Sequence, residues 1–314
     1  MTVLITGAAG LLGTELTRQL LAQGEDIVAV DNFTTGSRTN TVQFQGKNNY
    51  WPLDQDVRKK FRIPCPKGPF SPLTQIYNLA CPASPVHYQR DPWNTLMTNI
   101  EGVRNMLEVA EQKSMRMLQA STSEVYGDPL ENPQSETYWG NVNTLGPRAC
   151  YDEGKRVAET MCTISSADTV IARIFNSYGP HMALNDGRAV SNFILQALEN
   201  KPITVHGDGK QTRSFCYVSD TVSGLIKLMN SDSEGPINIG NPEEITLLQL
   251  AQEIVELAES SSEIVHTESA VDDPHQRCPD IYQAITKLNW MPEVDRKQGL
   301  KYTIDYVRTQ LCDQ

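Results

Sequence analysis

The chain alternates between short runs of apolar residues and longer segments in which apolar residues recur every three or four positions. The short runs predict buried strands, and the longer segments predict amphipathic helices. The predicted strands cover residues 2–6, 26–31, 75–80, 115–122 and 169–175, and the predicted helices among them cover 11–23, 95–112 and 151–165. Strands and helices that alternate in this way form a parallel sheet with helices on both faces. We therefore predict an α/β fold with a doubly wound parallel sheet over residues 1–175.

The pattern changes beyond residue 175. Predicted helices follow turns rich in proline and glycine, and they cover residues 187–200, 219–230, 246–259 and 296–310. We predict a smaller, mixed α/β lobe over 176–314, with the chain crossing back into the first domain around 203–240. Segment 58–72 is rich in proline and basic residues and has no periodicity, which favours a surface loop.

A glycine-rich turn, TGAAGLLG, joins the first predicted strand to the first predicted helix and contains Gly7, Gly10 and Gly13. Glycines at these places allow a tight turn, close approach of the backbone to a pyrophosphate, and close packing of the helix on the strand. Asp31 ends the second strand roughly 20 residues further on, where an acidic side chain binds an adenosine ribose. Its carboxylate would repel a 2′-phosphate, so the sequence predicts a Rossmann-type domain that binds NAD. Arg38 nearby leaves NADP as a minor alternative.

A second set of polar residues indicates chemistry. Tyr151 and Lys155 stand four residues apart at the start of a predicted helix, which places them on one face. A lysine cation beside a phenol lowers the phenol pKa from about 10 towards neutrality, so this tyrosine would act as a base. The same spacing occurs on ordinary amphipathic helices. The catalytic interpretation is favoured by Thr122, Ser123 and Glu124, because they follow a predicted strand at the edge where open α/β sheets bind ligands.

Composition narrows the classes of partner. A formal net charge of −11 over 314 residues disfavours nucleic acid, whose phosphates bind through Lys and Arg. No apolar run reaches the about 18 residues of a membrane-spanning helix, and the first apolar stretch has no basic leader, so we expect a cytoplasmic protein without a membrane partner. The seven cysteines form no Cys-x-x-Cys pair. We predict neither disulfides nor a bound metal.

Eight longer segments resemble one family of enzymes. They are IYNLACPASPVHY (76–88), ASTSEVYGDP (120–129), GPRACYDEGKRVAE (146–159), ARIFNSYGP (172–180), NDGRAVSNFILQAL (185–198), GDGKQTRSFCYVSD (207–220), INIGNPEE (237–244) and DDPHQRCPDI (272–281). Over nearly its whole length the chain resembles the extended short-chain dehydrogenases, and among them the UDP-glucuronate decarboxylases. The tripeptide Thr-Ser-Glu at 122–124 favours the decarboxylases over their relatives, since related 4,6-dehydratases have Thr-Asp-Glu and epimerases have a Ser with small residues. A serine also suits a carboxylate substrate, which an aspartate would repel.

The resemblance implies a decarboxylation without net redox change. UDP-glucuronate is oxidised at C4 with NAD, carbon dioxide leaves because the new ketone lies β to the carboxylate, and reduction then gives UDP-xylose. The catalytic residues implied by the family are Thr122, Ser123, Glu124, Tyr151, Lys155 and Arg277. Tyr151 is the base, Lys155 tunes it and orients the nicotinamide ribose, and Arg277 contacts the substrate and supports proton delivery.

The resemblance also implies two binding surfaces. The cofactor contacts are Gly7, Gly10, Leu11, Leu12, Gly13, Asp31, Asn32, Gly36, Asp56, Val57, Leu79, Ala80, Tyr151 and Lys155. The contacts with the UDP-sugar are Pro82, Ser84, Tyr88, Asn176, Arg188, Val190, Gln211, Arg213, Tyr217 and Arg277. Arginine forks suit diphosphate oxygens, so three arginines give this acidic protein local positive charge. An Asp in a turn, such as Asp56, is just as often only a turn former.

Other interpretations stay open. The same scaffold carries 4-epimerases, 4,6-dehydratases and decarboxylases of other nucleotide-linked uronic acids. A protein that senses NAD without turnover is a different class, which the intact Thr122, Tyr151 and Lys155 disfavour. Relatives pair through two helices from each chain, so the helices at 95–112 and 151–165 indicate a homodimer. Two departures from the family pattern, His206 for a Tyr and His181 for an Arg, predict weaker uracil stacking and affinity.

Overall fold

A central parallel sheet organises the molecule. The computed structural model describes residues 1–63, 73–184, 186–268 and 274–312. Over these residues the strands are β1 (Thr2–Thr6), β2 (Asp26–Asp31), β3 (Tyr50–Asp54), β4 (Leu73–Asn78), β5 (Arg116–Thr122), β6 (Thr169–Ile174), β7 (Ser177–Tyr178), β8 (Ile203–His206), β9 (Thr212–Ser214), β10 (Cys216–Tyr217), β11 (Pro236–Ile239), β12 (Glu244–Thr246), β13 (Ile264–Thr267) and β14 (Gln276–Arg277). The helices are α1 (Leu11–Ala22), α2 (Arg38–Val42), α3 (Pro85–Arg90), α4 (Pro92–Met97), α5 (Val103–Lys113), α6 (Ala149–Ile164), α7 (Ala189–Leu198), α8 (Val218–Met229), α9 (Leu247–Ala258), α10 (Tyr282–Leu288) and α11 (Arg296–Cys312).

Seven of the described strands form one sheet, in the order β11-β6-β5-β4-β1-β2-β3. Every neighbouring pair in it is parallel. Because β1 lies between β2 and β4, the connections leave it in opposite directions, and a crevice opens at the carboxyl ends of these strands. The predicted doubly wound α/β sheet of Rossmann type is confirmed.

Alternate residues of each strand pack on opposite faces of this sheet, as pleating requires. Val3 and Ile5 are fully buried in one apolar cluster with residues of α1 and α8, whereas Leu4 is buried in a second cluster with residues of α5 and α6. Burial of one such side chain contributes roughly 1.5–3 kcal/mol. Cores on both faces therefore fix the positions of the strand ends that border the crevice.

The predicted helix at 95–112 is not continuous in the structure. Between α4 and α5 the chain widens into a π-helical turn, Thr98–Gly102. Within it the Nδ2 of Asn99 donates hydrogen bonds to the carbonyl of Thr95 at 3.0 Å and to the Sγ of Cys81 at 3.1 Å. A side chain that competes for a helix carbonyl disturbs the regular ladder, which explains the interruption.

A smaller lobe contains most of the chain beyond residue 175. Its apolar core is formed largely by α7, α9 and α11 and by the paired strands β8 and β13. Strand β9 pairs with both β12 and β14. That pairing sets Arg277 beside Arg213, so it brings two predicted substrate residues together.

The return of the chain to the large sheet is shorter than the predicted range 203–240. Helix α8 and strand β11 pack on the sheet, but β8 pairs with β13 instead. Ile203 and Val205 of β8 are fully buried in the core of the smaller lobe, and this apolar packing holds the strand there. The division of the chain at residue 175 stays a prediction.

The basic segment at 58–72 is only partly described. Residues 58–63 contain neither helix nor strand, and residues 64–72 lie outside the described part of the chain, so the surface-loop prediction stays open there. Of the helices that the structure describes, none combines the length and the apolar character needed to cross a bilayer.

Candidate active site

A cavity of about 1250 Å³ occupies the crevice at the carboxyl ends of the strands. Its wall contains all the predicted cofactor residues, which are Gly7, Gly10, Leu11, Leu12, Gly13, Asp31, Asn32, Gly36, Asp56, Val57, Leu79, Ala80, Tyr151 and Lys155. It also contains the predicted catalytic residues Thr122, Ser123, Glu124 and Arg277, and the predicted substrate residues Pro82, Ser84, Tyr88, Asn176, Arg188, Val190 and Arg213. The fold thus gathers residues from distant parts of the sequence around one space.

One half of the cavity is built mainly from backbone. Gly7 has a φ of +69°, and a Cβ on Gly13 would lie 2.1 Å from the carbonyl oxygen of Gly7. A side chain at either place would strain or block the turn between β1 and α1. Helix α1 begins directly after Gly10, and no side chain of the described residues caps it. Its first N–H groups and the positive end of its dipole are therefore available to phosphate oxygens.

Asp31 lies at the end of β2 on the edge of this half. Its carboxylate accepts hydrogen bonds from the backbone N–H groups of Ala9 at 2.9 Å and Phe33 at 2.8 Å. Burial raises the pKa of Asp31, although these hydrogen bonds oppose the rise. A Cβ on Gly36 would lie 3.0 Å from both carboxylate oxygens, so glycine at that position leaves room beside the acid.

Arg38, the basic side chain near Asp31, interacts with Asp54 and Phe33. Arg38 pairs with Asp54 at 2.5 Å, and its guanidinium carbon lies 3.8 Å from the centroid of the Phe33 ring. Asp56 likewise pairs with Arg58 and accepts its backbone N–H at 3.0 Å. Asp56 therefore has the turn-forming role, and its adenine contact stays a prediction.

Tyr151 and Lys155, the predicted catalytic pair on α6, lie close to Thr122 at the end of β5. The Tyr151 side chain is hydrogen-bonded to Thr122, and its ring stacks on Tyr88 with centroids 5.1 Å apart. The Nζ of Lys155 lies 5.8 Å from the centroid of the Tyr151 ring and donates a 2.8 Å hydrogen bond to the carbonyl of Ala120. The i, i+4 spacing on α6 therefore does place the ammonium beside the phenol.

The predicted lowering of the Tyr151 pKa by Lys155 is wrong for the protein by itself. Burial raises the pKa of Tyr151 well above its ordinary value, with a further rise from Cys81, and the hydrogen bond from Thr122 opposes this only in part. The spacing in the sequence indicates the nearby lysine charge, but it does not show the desolvation that disfavours a buried phenolate.

Beyond Tyr151, two arginines hold one carboxylate. Arg277 donates to Glu124 Oε1 at 3.0 Å, to the Oγ of Ser123 at 2.9 Å and to the carbonyl of Gly127 at 2.8 Å. Arg148 donates to Glu124 Oε2 at 2.5 Å. Burial would raise the pKa of Glu124, but the two arginines outweigh it and lower that pKa to about 2. Glu124 is therefore an anion throughout the neutral range.

Arg277 was predicted to contact the substrate directly. In the structure its side chain is 2% exposed, and its terminal nitrogens bind protein groups. Two charged residues near Glu124 were missed altogether, and Arg148 is the one that lines the cavity. Arg148 precedes Tyr151 by three residues, a helical spacing that could have marked it. Asp152, beside Tyr151, is buried, and burial with the charge of Glu124 raises its pKa to about 7.

The predicted nucleotide-sugar residues fall into two groups. Arg188 lines the cavity and pairs with Asp186 at 2.5 Å. Gln211 and Tyr217 are not among the described residues of the cavity wall, and their contacts with the UDP-sugar stay predictions. Gln211 donates to the carbonyl of His206 at 2.7 Å, and Tyr217 packs against Tyr178 and Tyr302 of the smaller lobe.

The fold and this cavity define a dinucleotide-dependent enzyme of the short-chain dehydrogenase class: a glycine-rich strand–helix turn and an acid on β2 face a Tyr-Lys pair. The profile of the NAD dependent epimerase/dehydratase family matches residues 3–240. The chain belongs to that family.

Curated relatives are similar over nearly the whole chain. UDP-glucuronic acid decarboxylase 1 of Xenopus tropicalis is 49% identical over 316 residues, which are 99% of this chain and 73% of that protein. UDP-glucuronic acid decarboxylase 3 of Arabidopsis thaliana is 47% identical over 316 residues, which are 99% of this chain and 90% of that protein. A solved UDP-glucuronic acid 4-epimerase of Bacillus cereus, in complex with UDP-glucuronic acid and NAD, is 26% identical with a TM-score of 0.87, covering 99% of this chain and 100% of that one.

NAD is the cofactor of this chain, and the cavity fits it. The turn at Gly7 and Gly13 leaves space that a Cβ would fill, and the uncapped start of α1 suits a pyrophosphate. Asp31 suits an adenosine ribose without a 2′-phosphate. Lys155 and Tyr151 lie at the other end, where a nicotinamide ribose would be held.

Proposed function

We propose that this chain converts UDP-glucuronate to UDP-xylose and carbon dioxide. One observation carries the proposal: the hydrogen-bonded pair Thr122 and Tyr151 shares a cavity with the dinucleotide-binding turn and with the charged cluster of Ser123, Glu124 and Arg277. The similarity to relatives named UDP-glucuronic acid decarboxylase supports the choice of substrate.

The first step is proton removal from the C4 hydroxyl. Thr122 binds that hydroxyl and Tyr151 takes its proton, since the two side chains already share a hydrogen bond. When bound, NAD supplies the acceptor for the hydride of C4 and the source from which it is returned. Burial disfavours the phenolate that the step requires, and the Lys155 ammonium, which lies 5.8 Å from the ring centroid, is the protein charge that favours it.

The second step is the loss of carbon dioxide. Once C4 is a ketone, the electrons of the C5–C6 bond move into an enolate on the C4 oxygen while the carboxylate leaves as carbon dioxide. Hydrogen bonds from Thr122 and Tyr151 stabilise the charge that develops on this oxygen. C5 then takes up one proton, and Tyr151 returns its proton to the oxygen at C4 when the ketone is reduced.

Ser123 is suited to the carboxylate side of the sugar. Its Oγ accepts a hydrogen bond from Arg277 at 2.9 Å, so its own hydroxyl hydrogen is free to point to a substrate carboxylate. An aspartate here would repel that carboxylate. The choice of serine thus favours a decarboxylase over a 4,6-dehydratase.

The diphosphate is assigned to the arginines of the smaller lobe. Arg188 and Arg213 line the cavity, and guanidinium forks bind phosphate oxygens in two-point geometry. Tyr88 is almost fully buried, and its hydroxyl has no hydrogen-bond partner among the described residues. We assign this hydroxyl to the sugar.

A 4-epimerase is the second candidate, because the solved UDP-glucuronic acid 4-epimerase has the same fold and also binds UDP-glucuronic acid. Both reactions pass through a ketone at C4. The products separate them: purified protein incubated with UDP-glucuronate should give UDP-xylose and an equal amount of carbon dioxide by NMR. Accumulation of UDP-galacturonate with retained carboxylate would contradict the decarboxylase, and unchanged substrate would contradict both.

The proposal extends to a cytoplasmic homodimer that pairs through α5 and α6. On α6 the side chains of Val157 and Ile164 are 38% and 79% exposed, which suits burial against a second copy. Val157→Glu should shift the mass measured by light scattering from dimer to monomer. Val42→Glu on α2, where the valine is also exposed, is the control and should stay dimeric. A wild-type monomer would contradict the dimer.

A further inference from the structure

The Glu124 carboxylate is held from two sides by arginines that come from different lobes. Arg277 reaches Oε1 from β14 at 3.0 Å, and Arg148 reaches Oε2 from the start of α6 at 2.5 Å. Arg277 is also fixed by Ser123 and Gly127. Both arginines line the cavity, and Arg148 is the more exposed of the two, with 15% of its side chain exposed against 2% for Arg277.

The charge of this cluster matches a carboxylate substrate. One glutamate and two arginines leave a net charge of plus one, so the cluster attracts an anionic sugar and keeps Glu124 itself ionised. Removal of one partner from a buried ion pair leaves an uncompensated charge, which is costly. With Arg148 removed, Arg277 alone would have to hold the glutamate.

A second carboxyl group lies near Glu124, so the balance of charge around Glu124 depends on the position of Arg148. Asp152 lies one turn further along α6, is buried, and its Oδ1 has no hydrogen-bond partner among the described residues. Its charge and that of Glu124 repel each other. The charged and titratable groups around Glu124 are Arg148 and Asp152 from α6, Arg277 from β14, and the phenols Tyr88 and Tyr151.

We propose that Arg148 is a positioning residue that fixes the Glu124 carboxylate at the sugar end of the cavity during decarboxylation. The proposal rests on the function given above. An ionised Glu124 accepts a hydrogen bond from the water or hydroxyl that protonates C5, which requires a fixed and charged acceptor. Arg148 acts through Glu124 and does not itself bind the substrate carboxylate.

The first test needs no turnover. The side-chain carbon of Glu124 is followed by NMR against pH in the wild type and in the Arg148→Gln and Arg148→Lys variants. Loss of the nearby cation should raise the Glu124 pKa by at least about one unit in Arg148→Gln, and by less in Arg148→Lys. Arg156→Gln is the control, since Arg156 is on the same helix and binds the carbonyls of Val125 and Trp139. An unchanged Glu124 pKa in Arg148→Gln would overturn the proposal.

The second test is kinetic. Arg148→Gln should lower kcat at least roughly tenfold, with KM within about twofold, and move the acidic limb of the kcat profile to higher pH. In a Glu124→Gln background the same change should have little further effect, because both residues act as one unit. A raised KM with unchanged kcat, or additive losses, would show direct substrate binding and overturn the proposal. An inactive wild type would instead contradict the proposed function, while the NMR titration would still judge Arg148.

Discussion

The two halves of the cavity are built in different ways. The cofactor half consists largely of backbone and small residues: the turn at Gly7 and Gly13, the start of α1, and the acid at the end of β2. The sugar half consists of charged and polar side chains, and Arg277 reaches Glu124 across 153 positions of sequence. The first half depends on local geometry, and the second depends on the packing of two lobes.

This difference has a physical consequence. A backbone site fails when a side chain blocks it, and the failure does not depend on pH. A site of buried charges responds to every change in the balance of its charges, because interactions in a low-dielectric interior are poorly screened. Mutations in the two halves should therefore fail in distinguishable ways.

The largest effect is expected where the two halves meet. Tyr151→Phe removes the hydroxyl that takes the C4 proton, so kcat should fall about 10³-fold, while bound NAD should persist because the turn is untouched. Rapid-quench assays and the NAD content of the purified variant measure both. Tyr88→Phe is the control: it keeps the ring that stacks on Tyr151 and should lose no more than about tenfold. Similar losses in both variants would contradict the assignment of the base.

A change in the backbone half should remove the cofactor. A Cβ at residue 13 would lie 2.1 Å from the carbonyl oxygen of Gly7, so Gly13→Ala should weaken NAD binding at least about 100-fold, or roughly 2.7 kcal/mol, by calorimetry. Gly235→Ala is the control, because a Cβ there meets nothing within 4 Å. Retention of wild-type affinity in Gly13→Ala would contradict the placement of the pyrophosphate.

The acid at the edge of the cofactor half should have a smaller effect. Asp31→Asn keeps the shape but weakens charge-assisted hydrogen bonds to the ribose, so the affinity for NAD should fall roughly tenfold. Discrimination against NADP should fall as well, since the repelling charge is gone. Asp54→Asn, at the exposed acid that pairs with Arg38, should leave NAD affinity near that of the wild type. Equal losses in both variants would place the ribose elsewhere.

The smallest effect tests the sugar half through stability. Burial and the charge of Glu124 raise the pKa of Asp152 from 3.8 to about 7. The folded chain keeps this proton to a higher pH than the unfolded chain does, so stability is lost as the pH rises from about 4 through 7. Asp152→Asn avoids that loss and should have a Tm about 2–4 °C above the wild type at pH 8, with a smaller gain at pH 5. A gain that does not depend on pH would contradict the raised pKa.

The cofactor half could be predicted from sequence because its signals are local. Gly7, Gly13 and Asp31 belong to one strand–helix–strand unit, and their spacing alone indicates the geometry. The doubly wound sheet followed in the same way from short apolar runs that alternate with helices. The interruption at Thr98–Gly102 could not be predicted, since it depends on the bonds of Asn99 to Thr95 and Cys81.

The sugar half could be predicted only in part. The family resemblance indicated Glu124 and Arg277, but their ion pair arises from the pairing of β14 with β9 and from the docking of the two lobes. Arg148 was missed because its partner lies on another element. The side chains of Gln211 and Tyr217 contact His206 and Tyr178, and packing of this kind cannot be predicted from local sequence.

The most direct test of the account follows the hydrogen at C4. UDP-glucuronate labelled with deuterium at C4 is converted in ordinary water, and the UDP-xylose is analysed by NMR and mass spectrometry. The deuterium should be found again at C4 of the xylose, C5 should carry a hydrogen from water, and no free reduced cofactor should accumulate. UDP-xylose that has lost its deuterium at C4 would contradict a ketone that forms and is reduced within one binding event.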